Sequence, residues 1–546
     1  MKDNAAVRLN YAGELYQIGV EGEKRRVLRE LDEGFSILHE DGILHIHDLE
    51  AYGKVYNCSA PNIVDYLISK KYDSLTPQGK IFELFEYIKN LIVELATNQS
   101  GGIGFSNFDI DLSMALEKLC VVYCEENIAA LTDSIVSFIR WANITYTRYC
   151  REPYYLTLNI GLARSEWGRK ISELLLVAFE NAPTGYKRPN IVFKVNRSIN
   201  GEGTQNYDTY KKALNCTAKR MIPTYLLTNS DPNKDCDPEK LAIMGCRTRV
   251  YDNVNGAVGA TGRGNIACVS INLPRIALEH PRIEDFYNNL ITTIDRAIAI
   301  LLHRANKFEE NGAKHIKFVL ENGLWISHNI GDIKRQGTLS IGFIGLSECV
   351  EILTGFKPYQ DANSFSLSVE IIKQMRGIID NYRAETKLNL SVLASPGEML
   401  SNRFCALDRN KYPHSTQNKG FYTNSFHVDV DSGVSIYEKI ELEAPFHSLC
   451  NGGCITYIEL SSAPLSNVEA INDGILYAQD KGISYLGFNF PYDICNNCGN
   501  SGTFDICGQC GSHDIKRIRR VSGYLEEMEY FTDGKFAEAQ KRKSNL

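Results

Sequence analysis

Four cysteines near the C-terminus have the spacing best suited to chemistry. Cys495 and Cys498 form one Cys-x-x-Cys-Gly hook, Cys507 and Cys510 form a second, and eight residues separate the two. Each hook lets two thiolates converge on one ion, and the glycine behind it permits the tight turn. Four thiolates suit tetrahedral Zn2+, and iron fits the same donor set. With every ligand position filled by protein, such a site is structural rather than catalytic. Asp493-Ile494-Cys495 is echoed by Asp505-Ile506-Cys507, which marks a separate small module. A basic run follows, Lys516-Arg517-Ile518-Arg519-Arg520, and then Val521-Ser522-Gly523-Tyr524-Leu525. Far upstream, His45 and His47 stand two apart on an alternating stretch. With no third ligand nearby they read as core histidines. Cys450 and Cys454 flank Asn451-Gly452-Gly453 at a spacing open to a redox pair.

Positioning such groups requires a large core, and the chain has one to offer. Its 546 residues are 44% hydrophobic and 23% charged, ordinary for a globular protein. A net charge of −7 gives no long-range attraction for a nucleic-acid polymer. No apolar run approaches the ~20 residues that span a bilayer, so no membrane association is expected. Met1-Lys2-Asp3-Asn4 does not open a secretory signal, and 16 cysteines without one point to a reducing cytoplasm.

Val27, Leu28, Leu31, Phe35 and Leu38 predict a helix over residues 23–40. Thr76-Pro77 starts another, and long helices are expected near 283–309 and 364–385. Strand-like runs occupy 389–394, 436–442, 454–460 and 483–490. Ser395-Pro396-Gly397-Glu398 has the form of a cap serine, first-turn proline and capping-box glutamate. A helix should begin there, with phosphate binding at its N-terminus and plain capping both open. Strands alternating with long helices indicate an α/β architecture. The expected organisation is one large domain over 1–490, the four-cysteine module over 491–514 and a loop and tail over 515–546.

The run Arg520-Val521-Ser522-Gly523-Tyr524 close to a chain end resembles the radical-bearing loop of glycyl radical enzymes. A radical on an α-carbon is delocalised between amide nitrogen and carbonyl, and the planar centre this needs has no room for a Cβ. Preceded by the four-cysteine module, the run resembles that of anaerobic (class III) ribonucleoside-triphosphate reductases. His45-Ile46-His47-Asp48, Met244-Gly245-Cys246-Arg247-Thr248 and Gly262-Arg263-Gly264-Asn265 look like the same family. So do Ser395-Pro396-Gly397-Glu398, Tyr422-Thr423-Asn424-Ser425-Phe426, Asn451-Gly452-Gly453 and Gly534-Lys535 with Glu538.

The resemblance implies a ten-stranded α/β barrel of two antiparallel halves, each of five parallel strands, with a finger loop carrying a cysteine into the centre. Cys246 matches that cysteine and would become a thiyl by giving hydrogen to a Gly523 radical, then take the ribose 3′-hydrogen. Cys58 matches the second family cysteine, assisting departure of the 2′-hydroxyl. Asn265, with Asn272 as alternative, would meet the ribose hydroxyls; Met244 would pack beside the thiyl, and Ser395 would lie at the phosphates. The other cysteines, Cys150 and Cys268 among them, read as inert small hydrophobes.

The family also implies ribonucleoside triphosphate substrates, ATP and deoxynucleotide effectors at a specificity site, a homodimer, and a radical S-adenosylmethionine activating enzyme. The chain lacks a cysteine pair after Gly523, and Asn265 stands where a carboxylate would otherwise be expected. Both features resemble family members that use formate as reductant. Two departures stand out. Glu526 occupies a position where many glycyl radical enzymes have a small residue, and with 57 residues before Cys58 no ATP-cone is expected. Formate-lyase-like enzymes, the nearest competing reading, use adjacent active-site cysteines, and this chain has no Cys-Cys pair. A nucleic-acid-binding zinc ribbon fits poorly with the acidic net charge.

Overall fold

The structure is a computed structural model that describes residues 10–147, 152–413 and 420–545. Cys150 lies outside the described residues. Ten strands form the frame. In chain order they are β1 (Cys58–Ala60), β2 (Ile103–Phe105), β3 (Leu156–Ile160), β4 (Asn190–Val195) and β5 (Thr224–Leu227). Then come β6 (Arg263–Asn272), β7 (Thr338–Ile344), β8 (Asn389–Ala394), β9 (Thr456–Glu459) and β10 (Tyr485–Asn489). Strands β1 to β5 pair in sequence order, all parallel. Strands β6, β7 and β8 are parallel to one another, as are β9 and β10. The halves meet antiparallel where β6 joins β1 and β10 joins β5. A parallel bridge between Leu393 and Gly453 links β8 to the approach of β9 and closes the ring. This is the expected barrel of two five-stranded halves.

Parallel strands covered on both faces should be apolar throughout, and every residue of β6 and β7 is buried. Outside lie long amphipathic helices, including Pro77–Asn98, Glu125–Ile144, Ile283–Asn311 and Ala362–Thr386. The first of these begins as Thr76-Pro77 suggests, with the Thr76 hydroxyl accepting from the Gly79 amide. Among the described residues no helix is long and apolar enough to cross a membrane.

Three sequence expectations are corrected. The run at 436–442 is no strand. It opens the helix Ile436–Leu449, started by a complete capping box between Ser435 and Glu438. Its short apolar alternation fits either element, and the cap decides. The helix expected over 23–40 is two, Tyr11–Glu30 and Glu33–Glu40, broken where Asp32 caps the second by accepting from Gly34. Ser395 is not an N-cap. The helix Glu398–Lys411 has Gly397 in that place without a side-chain cap, while the Ser395 hydroxyl bonds Ser270 at 2.5 Å.

Between β5 and β6 the chain makes a finger into the lumen, tipped by a short hairpin that pairs Ile243–Met244 with Thr248–Arg249. The barrel wall grips this finger on both sides. From β3, the Asn159 amide accepts from the Ile243 N–H and donates to the Ile243 carbonyl, each at 2.9 Å. The Thr157 hydroxyl donates to the Gly245 carbonyl at 2.8 Å. Opposite, the Arg249 N–H donates to the Gly452 carbonyl at 2.9 Å, and a Cβ at Gly453 would fall 2.0 Å from the Arg247 oxygen. Gly453 is therefore backbone clearance for the finger, whereas Gly452 clears Ser391 and Val392 of β8 and the Asn451 side chain accepts from the Val392 N–H.

Asn159→Ala leaves the Ile243 N–H unpaired inside the barrel, a loss of about 1–3 kcal/mol. We expect faster amide exchange across residues 241–249, measured by mass spectrometry, with β7 unchanged.

Candidate active site

The finger presents Cys246 to a cavity in the barrel lumen, and the cavity is shared by Cys58 on β1, Asn265 on β6 and Gly523. Four residues far apart in sequence thus converge. Gly523 stands tight against the finger. A Cβ on it would lie 2.1 Å from the Cys246 Cβ and 2.4 Å from its Cα. Its φ is outside the left-handed region, so close approach rather than backbone conformation demands glycine.

The loop that carries Gly523 is held from several directions. Strands β11 (Tyr492–Cys495), β12 (Ile515–Arg520) and β13 (Leu525–Glu527) pair antiparallel in a small sheet, and the last two bring the loop to the barrel. The Ser522 carbonyl accepts from Arg247 at 3.2 Å and from the Tyr457 hydroxyl. Arg520, fully buried, donates to Asn489 at 2.6 Å and to the Gly523 carbonyl at 3.4 Å. Glu398 lines the cavity and bridges the loop, one oxygen accepting from Ser522 at 2.7 Å and the other from Tyr524 at 3.2 Å. That use of Glu398 explains the missing capping box. Behind the loop, Arg542 in the C-terminal tail donates to the Arg520 carbonyl at 2.9 Å and pairs with Glu538 at 2.8 Å.

Both central thiols are kept protonated. Burial pushes Cys58 up to about 12 and also raises Cys246. The Cys58 thiol donates to the Asn57 side-chain oxygen at 2.7 Å, and its sulfur accepts from the Gly102 amide at 3.2 Å. A Cβ at Gly101 would come within 2.7 Å of that sulfur. Neutral S–H groups suit exchange of hydrogen atoms, whereas a thiolate has none to give. Asn265 donates to Ser340 at 2.8 Å and to the Thr338 hydroxyl at 3.0 Å, which fixes its amide on the wall.

The remaining expected residues distribute unevenly. Met244 is buried in a small cluster with Cys58 and Val250, and it does not line the cavity. Neither does Ser395, whose neighbours Pro396 and Leu393 do. Asn272 caps the helix Leu273–Glu279 instead. His45 and His47 do face the cavity, with His47 bonded to Ser270 at 2.8 Å. Cys268, read as inert, also lines it. Cys450 and Cys454 are buried elsewhere, Cys454 lying 3.2 Å from His447. Sequence reasoning missed Asn57, which precedes Cys58 and donates to Asp48 at 2.7 Å. It also missed Lys187 and Arg188 on the cavity wall, for which no motif gives a signal.

The four hook cysteines gather at one end of the small sheet, all their sulfurs within 4.8 Å of one another. Cys495 and Cys510 are 3.5 Å apart, as are Cys498 and Cys507, and none forms a disulfide. Sulfurs about 2.3 Å from a central zinc would sit roughly 3.8 Å apart, so the cluster fits one tetrahedral ion. Gly499 and Gly511 adopt φ of 75° and 71°, the turn conformation expected behind each hook.

A family model for anaerobic ribonucleoside-triphosphate reductase matches residues 3–544. The chain belongs to that family. The anaerobic ribonucleoside-triphosphate reductase of Escherichia coli (strain K12) is 30% identical over 560 residues, covering 93% of this chain and 78% of that protein. A solved anaerobic ribonucleotide reductase superposes with a TM-score of 0.79 at 15% identity, covering 98% of this chain and 90% of that one. The Thermotoga maritima reductase in complex with dATP and CTP gives 0.71 at 14% identity, covering 97% and 90%. The barrel is thus that of the anaerobic reductases, and the chain is an oxidoreductase acting on ribonucleoside triphosphates.

One metal equivalent per chain is expected for this reductase. Cys507→Ser should reduce it to well below stoichiometric, as measured by elemental analysis of anaerobically purified protein, because three thiolates leave the coordination open.

Proposed function

We propose that this reductase converts ribonucleoside triphosphates to 2′-deoxyribonucleoside triphosphates by a hydrogen-atom relay from Gly523 through Cys246, with formate as reductant. The observation that carries the reading is the backbone contact between Gly523 and Cys246 inside a cavity that also holds Cys58. Cys246 gives its thiol hydrogen to the Gly523 α-carbon radical and then takes the substrate 3′-hydrogen. Cys58 supplies a proton as the 2′-hydroxyl leaves as water, and Asn265 and Asn57 offer fixed amides to the ribose hydroxyls. Formate is oxidised to carbon dioxide, its two electrons and hydrogen replacing the lost hydroxyl. Cys246 then returns its hydrogen to C3′, and the thiyl so formed takes hydrogen from Gly523, which regains its radical; a solvent proton restores Cys58.

Formate is favoured over a thiol reductant because, among the described residues, Cys450 and Cys454 do not line the cavity, whose cysteines are Cys58, Cys246 and Cys268. The bound dATP and CTP of the Thermotoga maritima enzyme support nucleotide substrates and effectors here. A homodimer and a radical S-adenosylmethionine activating enzyme complete the reading. The hook cysteines would hold Zn2+, whose contribution is to fix the turn that launches β12.

After anaerobic activation, the wild-type chain should show a doublet electron paramagnetic resonance signal that Gly523→Ala lacks. Cys246→Ser should keep the doublet and make no deoxynucleotide, since an alcohol O–H bond is too strong for the relay; turnover by that variant would remove Cys246 from the mechanism. Labelled formate should yield carbon dioxide one-to-one with deoxynucleotide. Full turnover on a thioredoxin system without formate consumption would overturn the choice of reductant.

A further inference from the structure

Lys187 and Arg188 sit on the wall of the catalytic cavity, and both are engaged by the strand that follows Gly523. Lys187 Nζ donates to Glu526 and to Glu527, each at 2.7 Å, and Arg188 donates to the second Glu526 oxygen at 2.9 Å. All four side chains are at most 10% exposed. The cationic side is rigidly based. Asn143, on the helix Glu125–Ile144, accepts from the backbone N–H groups of Lys187 at 2.7 Å and Arg188 at 3.0 Å and donates to the Arg188 carbonyl. The acidic side belongs to β13, which pairs Glu526 with Arg519 and Glu527 with Ile518. One anchor is therefore on the barrel and the other on the arm that bears Gly523.

Burial alone would raise the Glu526 carboxyl, but Arg188 and Lys187 outweigh it and hold it at about 2. The pairs are thus ionic throughout the working range. Buried ion pairs add little stability over an apolar contact of the same shape, so their presence calls for another explanation. Charges re-solvate when they separate, whereas an apolar seal would open onto water at full hydrophobic cost. An ionic contact is the one suited to repeated opening.

We propose that Lys187 and Arg188, acting through Glu526, are positioning residues that latch the Gly523 arm against Cys246, and that opening this latch lets the arm leave the cavity. The hydrogen-transfer half of the proposal rests on the reading of Gly523 given above; the latch itself does not. While it is closed, Gly523 and Cys246 stay in contact and the relay runs. Once it is open, Gly523 becomes accessible to whatever abstracts its hydrogen, and two uncompensated cations are left facing the cavity.

The test uses Glu526→Gln, which keeps shape and removes charge, and Lys187→Arg, which keeps charge. In the unactivated full chain, amide exchange across residues 521–527 should rise about ten-fold or more in Glu526→Gln, with β7 unchanged. In activated protein the same variant should gain its radical faster than wild type yet turn over about ten- to hundred-fold more slowly per radical. Lys187→Arg should behave as wild type in both. Exchange that is unchanged over 521–527, or that rises equally in β7, overturns the latch. Radical formation and turnover falling together would likewise overturn it, since simple destabilisation does that. If wild type carries no radical, the Gly523 reading fails, and the exchange measurement alone decides the latch.

Discussion

Two stretches of main chain touch at the centre of this molecule, and neither tolerates a side chain between them. The missing Cβ at Gly523 is the constraint from which the rest follows. Backbone-to-backbone contact at that distance has no slack, so each partner must be independently fixed to the barrel. The finger is gripped by Asn159 and Thr157 on one side and by Gly452-Gly453 on the other. The Gly523 loop is gripped by Glu398, Arg520, Arg247 and Tyr457, with the C-terminal tail braced behind it. Much of what reads in sequence as scattered motif is this bracing.

The electrostatics divide along the same line. The groups proposed to react are neutral, two thiols pushed up by burial and amides fixed by hydrogen bonds, although the ionisable side chains of Glu398, Lys187 and Arg188 share the cavity wall with them. Behind the cavity, charge is compensated within the supports, as in Glu538 between Lys535 and Arg542, whose attraction outweighs burial and holds the carboxyl at about 2. Neutral thiols and fixed amides suit the hydrogen-atom exchange proposed above.

The residues that meet in the candidate site were more legible in the sequence than the local course of the chain. Gly523, Cys246, Cys58 and Asn265 were legible because short motifs with fixed spacing surround each, and the barrel came with the family they resemble. Periodicity alone found the long helices and missed the break at Asp32. It read 436–442 as strand because a short apolar alternation fits either element until its cap is recognised. Ser395 looked like a cap because the local pattern is right; tertiary demand on Glu398 overrode it. Lys187 and Arg188 were invisible, since their partners lie more than 330 positions away and no local signal encodes such a pairing.

The order of strands around the ring has one more consequence. β5 and β6 are consecutive in the chain yet stand on opposite sides of the barrel, each at an antiparallel seam. Their connection, residues 228–262, must therefore run as a chord across the circle, and Cys246 falls at its midpoint. The central thiol is on the axis because of how the wall is threaded, as the keystone of an arch is fixed by its two footings. An insertion on either arm of the chord would move the sulfur off axis without touching any residue of the site, so the length of this connection is as much a part of the active site as the cysteine it carries.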